Sequence, residues 1–227
     1  SSPFNIPSFS LPIEEELPAR NLENMEYGIR FSNTFYEVDW SCYYFRGFYD
    51  FPSYSLDNKL KKINAKYFKS NMFGYDFELV KGKWGIKGEG SLHTNQYFQK
   101  EKLLDYVEGD FFTGGLGVDR SFGDNYLNFC VLYKKIFTDD AIEERKDEIT
   151  FIAGIERKFS YETKAMKFFS LYNTMNNSIF LNGTLSINLL ENLWVDLSIG
   201  IFEGRQKDIL SKLKNTDFFL IKCKYSF

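Results

Sequence analysis

His93 is the only histidine among the 227 residues, so it bounds the hydrolytic chemistry this chain can carry. A Ser-His-Asp triad would have to use it, and no GxSxG element accompanies it. Beside polar residues at an outer strand end, it reads as a solvated surface histidine. Gly114-Gly115-Leu116-Gly117 lacks the Lys-Ser/Thr of a phosphate loop and falls inside a strand rather than ahead of a helix. Small residues that relieve crowding in a curved wall account for it better. Cys42, Cys130 and Cys223 stand far apart without CxxC spacing, and their odd number argues against a full disulfide framework. The run Glu143-Glu144-Arg145-Lys146-Asp147-Glu148 has no ligand spacing and reads as a solvated connection. No catalytic constellation, metal site or cofactor is expected, and the chain is not read as an enzyme.

The elements that would position any such group are strands. Leu193, Val195, Leu197, Ile199 and Ile201 alternate with Trp194, Asp196, Ser198, Gly200 and Phe202. Ile179, Leu181, Leu185, Ile187 and Leu189 alternate with Asn182, Thr184, Ser186 and Asn188, and the same phase recurs at Leu127–Tyr133 and Met25–Phe35. A period of two means one dry face and one wet face. Helical spacing is confined to Gln99–Leu104 and Arg205–Leu213. About eleven strands are expected, at 25–35, 39–49, 66–79, 83–93, 106–120, 124–135, 148–159, 163–173, 178–189, 192–203 and 216–227. Most run to roughly 10–13 residues, the length of a tilted bilayer crossing and about twice an ordinary soluble strand.

Composition agrees. Aromatic residues make up 19% of the chain, with 25 Phe, 15 Tyr and only 5 Pro, which suits extended strands. A net charge of -3 leaves no footprint for nucleic acid. No window reaches the roughly 18 consecutive apolar residues of a spanning helix. The opening Ser1-Ser2-Pro3-Phe4 has neither basic start nor apolar core, so an export signal is expected upstream.

Connection lengths sort by side. Tyr36–Val38, Val80–Gly82, Ser121–Gly123, Ser160–Glu162 and Leu190–Glu191 are tight turns. Asp50–Ala65, Thr94–Asp105, Ile136–Asp147 and Gly204–Asn215 are long and charged, with Thr174–Asn177 the short exception. Short periplasmic turns and long outer loops are the outer-membrane pattern. The expected fold is therefore an all-β, antiparallel up-and-down transmembrane barrel. Residues 25–227 form its wall, and residues 1–24 an extracellular loop or a segment folded into the lumen. If the last strand ends in the periplasm, the first starts outside, and eleven strands cannot be the whole of an even-numbered wall. The chain is thus expected to be the C-terminal portion of a larger barrel, with further N-terminal strands in the same protein or on another chain.

Phe219, Ile221, Cys223, Tyr225 and Phe227 repeat every second residue to the terminus. They look like the signal read by barrel-assembly machinery, in effect an apolar edge strand able to add to another sheet. Together with Asn21–Phe31, Val38–Tyr44, Tyr49–Pro52, Gly117–Asp124 and the closing Lys224-Tyr225-Ser226-Phe227, the chain resembles a proteobacterial family of porin-like and alginate-export-like outer-membrane proteins of poorly characterised function. The resemblance runs in order through most of the chain and implies the C-terminal part of a longer barrel. Where that family tends to place Gly before Asp39, this chain has Glu37-Val38.

On this phase the lumen receives Glu26, Arg30, Asp76, Glu78, Lys87, Glu89, Asp119, Lys134, Glu156, Lys158, Asp196, Lys222 and Lys224. Both signs are present, which suits a lattice of cross-strand pairs holding the wall, or rings of charge that select a solute. Arg30 and Asp119 are the leading candidates for a pair or constriction. Pro3, Pro7, Pro12 and Pro18 exclude residues 1–20 from the wall, and this segment either narrows the pore or forms an outer loop. Trp40, Trp84, Tyr75, Tyr126, Tyr133, Phe169 and Tyr172 read as aromatic-girdle residues. The expected function is a channel for passive or substrate-biased diffusion of small hydrophilic solutes across the outer membrane of a Gram-negative bacterium. The alternative is a barrel sheath around a partner such as an electron-transfer cytochrome or export machinery. Expected partners are membrane lipid and lipopolysaccharide, the assembly machinery, the remaining strands and a small solute.

Overall fold

A computed structural model describes residues 11–57, 59, 61–101, 104–204, 210 and 213–226. Its strands are β1 (Ile13–Glu16), β2 (Tyr27–Phe35), β3 (Val38–Phe48), β4 (Ser53–Asp57), β5 (Lys62–Lys66), β6 (Lys69–Lys81), β7 (Trp84–Gln99) and β8 (Tyr106–Phe122). They continue as β9 (Asn125–Phe137), β10 (Asp147–Phe159), β11 (Lys164–Asn173), β12 (Ser178–Leu190), β13 (Leu193–Glu203) and β14 (Phe218–Tyr225). One 11-stranded sheet has the order β14-β13-β12-β11-β10-β9-β8-β7-β6-β3-β2, and a 3-stranded sheet has the order β1-β5-β4. The fold is all-β with an up-and-down sheet of eleven strands, as the alternation requires.

Differences from the expected boundaries have local causes. Asp50–Ala65 is not a plain loop: it contains β4 and β5, paired antiparallel from Ser53↔Lys66 to Asp57↔Lys62. The expected connection at Thr94–Asp105 is shorter, because β7 continues to Gln99 through a left-handed residue, Asn95 (φ 60°). Tight turns fall one or two residues later than expected where glycine supplies a positive φ, at Gly82 (64°) and Gly123 (53°). At Thr174–Asn177 the side-chain oxygen of Asn173 accepts the amides of Met175 and Asn176, both at 3.1 Å, which closes a short turn on the long-loop side. Arg205–Leu213 and Phe227 lie wholly or mostly outside the described residues.

The chain divides into two compact units. The first comprises Ser1–Phe77, Glu89–Gly114 and Lys134–Asp147; the second comprises Glu78–Gly88, Gly115–Tyr133 and Glu148–Phe227. In the second, antiparallel register carries one face from strand to strand. The row Phe168↔Gly183↔Ile199↔Phe219 and the row Ser170↔Leu181↔Ile201 lie on one side. The rows Ala165↔Ser186↔Asp196↔Lys222 and Lys167↔Thr184↔Ser198↔Leu220 lie on the other. In the first unit, Ile29↔Tyr44 and Phe31↔Cys42 share one face, and Arg30↔Tyr43 and Ser32↔Ser41 the opposite one.

Burial is inverted relative to a water-soluble sandwich. Phe31, Ile199 and Phe219 are 57%, 53% and 67% exposed. Ser41, Ser91, Gln96, Asn173, Asn176, Ser178 and Ser186 are buried. Among the described residues the buried hydrophobics are Ile63 and Ala65 of the small sheet, the cluster of Phe98, Ile136 and Ile142 near the long connections, and Ala165. Within each unit, large apolar side chains of the long strands are thus exposed while small polar ones are buried. If the apolar side meets hydrocarbon, Ile199→Arg at mid-strand should destabilise the folded protein in vesicles by about 2–4 kcal/mol. Ser198→Arg on the opposite side should cost less than about 1 kcal/mol. Denaturant titration of the two variants in lipid measures the contrast.

The small sheet ties the N-terminal segment to the connection after β3. β1 pairs in parallel with β5, from Ile13↔Ile63 to Glu16↔Lys66. Glu14 accepts a hydrogen bond from the Lys62 ammonium, and Glu15 accepts one from the Tyr67 hydroxyl at 2.5 Å. These bonds raise the pKa of both Lys62 and Tyr67 above their ordinary values. A group whose folded pKa is raised contributes in full below its unfolded pKa and loses that contribution as pH rises through the folded value. Attachment of β1 should therefore persist at neutral pH and weaken above about pH 10. Ultraviolet difference titration of wild type against Tyr67→Phe should place this phenol above free tyrosine, and Glu15→Gln should bring it back toward the ordinary value.

Candidate functional site

The polar face is built by residues in the wet phase of each strand, and each unit contributes its own cluster. In the first unit β2, β3 and β6 are neighbours, which brings Arg30, Ser41 and Asp76 together. The Arg30 guanidinium donates to Ser41 Oγ at 3.1 and 2.9 Å and to Asp76 Oδ2 at 3.1 Å, and Ser41 Oγ donates to Asp76 at 2.5 Å. Arg30 also lies 5.9 Å from the Tyr43 ring centroid. Gly74 makes room for that ring: a Cβ there would sit 2.1 Å from Tyr43 Cε2. The carboxylate partner of Arg30 within this unit is thus Asp76.

Elsewhere in this unit Lys134 pairs with Glu144 at 2.6 Å and lies 5.6 Å from the Phe111 ring centroid. His93 stacks on that ring, with centroids 4.1 Å apart at 8°, and hydrogen-bonds Ser91 Oγ through Nε2 at 3.0 Å. It is a half-buried, mid-strand residue rather than a solvated terminal one, because β7 extends beyond it. No carboxylate hydrogen-bonds its other ring nitrogen among the described residues, so the Ser-His contact has no orienting third group. Glu89 lies two residues before Ser91 in the same strand phase.

In the second unit long polar side chains lie over glycines on adjacent strands. Asp119 covers Gly85, Lys87 covers Gly117 and Asn128 covers Gly154; a Cβ at Gly85 or Gly154 would come within 2.7 or 2.8 Å of the covering side chain. Glu156 pairs with its register partner Lys167 at 3.1 Å, and Asp196 and Lys222 are register partners. Lys224 stands opposite Trp194. Thr184 and Ser198 share a hydrogen bond of 2.9 Å, beside Asn182. All ten lumen-facing candidates therefore fall on the polar face. Of the assembly-signal residues, Phe219, Ile221, Cys223 and Tyr225 share the apolar side of β14.

One feature goes beyond what the sequence suggests. Phe169, Phe180, Phe202 and Phe218 form a row across β11 to β14 on the polar face, with centroids 6.1, 4.5 and 6.3 Å apart along it. Phe169 is therefore no girdle residue, since it shares a face with its register partner Asn182. Tyr126, in the phase of Asn128, is also on the polar side, whereas Trp40, Trp84, Tyr75 and Tyr172 are on the apolar one. The usable signal is that Phe169, Phe180 and Phe202 occupy the wet phase of their strands.

No family model and no curated protein matches the chain. Among solved structures it is similar to "KdgM porin in complex with disordered oligogalacturonate", at 14% identity and a TM-score of 0.36, covering 89% of this chain and 92% of that one. Likeness at this level leaves function to be argued from the residues themselves.

The Arg30–Asp76 pair is 61% and 36% exposed. A double-mutant cycle with Arg30→Ala and Asp76→Ala should give a coupling of about 0–1 kcal/mol, falling as salt is raised. Vesicle-based unfolding of the four proteins checks it.

Proposed function

We propose that this chain forms part of the wall of an outer-membrane β-barrel channel for passive or substrate-biased diffusion of small hydrophilic solutes. The observation that carries this reading is the segregation of faces held in register over many strands, with charges on the apolar side confined to strand ends. On β10 that side reads Asp147, Ile149, Phe151, Ala153, Ile155, Arg157 and Phe159. On β6 it reads Lys69, Asn71, Phe73, Tyr75, Phe77, Leu79 and Lys81. On β13 the uncharged stretch from Leu193 to Ile201 rises about 27 Å along the strand, or roughly 21 Å of height at a 40° tilt. That approaches the roughly 25 Å apolar band of barrels in this membrane. A wet interior then receives Arg30, Asp76, Lys87, Glu89, Asp119, Lys134, Glu156, Asp196, Lys222 and Lys224.

Strand parity supports the further reading that this is the C-terminal portion of a larger wall. Consecutive antiparallel pairing over eleven strands leaves β2 and β14, the ends of the order, running in the same direction. Antiparallel closure would need an odd number of additional strands. We assign these to the same barrel, in keeping with the porin-like family that the motifs resemble. Residues 1–24 and the small sheet then belong to the outer side, with the long connections. Phe219, Ile221, Cys223, Tyr225 and Phe227 serve as the assembly signal.

Planar-bilayer recording of the complete protein should show steady open-channel current. Replacing Lys222 and Lys224 with Glu should shift reversal potentials in a salt gradient toward cation preference. Silent bilayers, together with a tightly co-purifying protein, would instead favour a sheath.

A further inference from the structure

The apolar side of the second unit carries an open groove of about 680 Å³ that diffusion through a wall does not explain. Phe122, Leu127, Phe129 and Phe168 form its walls. Ala153 and Ser170, register partners on β10 and β11, line it with small side chains. Two small side chains between large ones sink a trough into a surface that uniform Leu or Phe would leave flat.

Trp84 and Arg120 stand at the short-turn end of this trough, with the guanidinium 4.6 Å from the indole ring centroid. Arg120 is exposed and lies two residues before the end of β8. Two more cations occupy the same face near the same rim: Arg157 stands opposite Met166, and Lys164 opposite Phe159. None of the three forms an ion pair with a carboxylate among the described residues. Asp119 also lines the groove, but its carboxylate is turned to the opposite face, over Gly85. Cations on a surface meeting hydrocarbon belong at the interface, where the surrounding phase supplies the counter-charge.

We propose that this groove is a binding site for an anionic phospholipid. One acyl chain lies over Ala153 and Ser170, the phosphate is held by Arg120, and Trp84 sits at headgroup level. Arg157 and Lys164 add to the field. The inference rests on the reading that this face meets hydrocarbon, and it adds a specific lipid to that reading.

The test uses the complete protein in phosphatidylcholine vesicles, with Trp40→Phe and Trp194→Phe leaving Trp84 as the sole tryptophan. Phosphatidylglycerol brominated near the headgroup end of its acyl chains should quench Trp84 at about one-fifth the mole fraction that equally brominated phosphatidylcholine requires, the advantage one surface cation gives an anionic lipid. Arg120→Gln should cut the preference several-fold, to the remainder that Arg157 and Lys164 supply, and Arg120→Lys should retain it. Ala153→Leu with Ser170→Leu, which fills the trough, should abolish it. Equal quenching by both lipids overturns the site and leaves the membrane reading intact, whereas quenching by neither overturns both. If the tryptophan replacements prevent insertion, native mass spectrometry of wild type decides. Phosphatidylglycerol retained by wild type and reduced several-fold in Arg120→Gln supports the site; absent or Arg120-independent retention overturns it.

Discussion

Inter-strand backbone hydrogen bonds set the register of neighbouring strands, and register decides which side chains share a face. Because the side-chain period along a strand is two, slipping one ladder by one residue would move a whole strand's apolar set to the wet side. In β13 and β14 such a slip would carry Asp196 or Lys222 onto the apolar face, and if that face meets hydrocarbon, as proposed, a mid-depth lysine costs about 2–4 kcal/mol there. The ladder from β10 to β14 keeps one phase throughout, and its one irregularity lies at the Asn188/Leu190 turn end of β12. The penalty for misregister is larger than any single cross-strand contact, so it specifies the fold more firmly than the ion pairs do.

Fixed register makes the polar face crowded, and the glycines answer that crowding. Asp119, Lys87 and Asn128 lie across adjacent strands, and the positions beneath them are Gly85, Gly117 and Gly154. A side chain at Gly85 or Gly154 would push the carboxylate or the amide off the sheet, whereas Lys87 lies over Gly117 at ordinary contact distance. Gly114-Gly115-Leu116-Gly117 is therefore a packing feature of β8, in which Gly117 is the position that Lys87 covers. The cluster of Arg30, Ser41, Asp76 and Tyr43 follows the same logic, with Gly74 yielding space to the tyrosine ring. Polar side chains then satisfy each other along the surface instead of projecting freely.

Period-two alternation over eight or more residues is a strong signal, so all eleven strands of the large sheet, their phase and, to within one or two residues, their short turns are legible in the amino-acid sequence. Legibility fails where the information is non-local or diluted. β4 and β5 are five-residue strands rich in Ser, Asp and Lys, and β1 reaches β5 by a parallel pairing no local pattern announces. Once β4 and β5 form their own sheet, β3 must pair onward with β6. With β3 beside β6, Arg30 meets Asp76. The polar run Thr94-Asn95-Gln96 has the composition of a loop, yet β7 passes through it, and His93 is mid-strand for that reason. Aromatic character suggests the dry face for Phe169, Phe180 and Phe202, whereas strand phase puts all three on the wet one.

The second unit places opposite exceptions on its two faces. The polar face holds an aromatic row, beginning near the middle of β11 and ending at the start of β14, while the apolar face holds cations at its short-turn rim. Each is costly in its surroundings, and each carries a local compensation. The Phe180 and Phe202 rings are stacked at 4.5 Å, which shields part of their surface from water. Arg120 rests on Trp84, whose ring face offsets part of the cost of an unpaired charge on an apolar surface. A sheet that only separated oil from water would need neither device. Aromatic rings in the wet phase and bare cations in the dry phase are where the alternation rule is broken, and such departures point to positions shaped by something other than holding the sheet together.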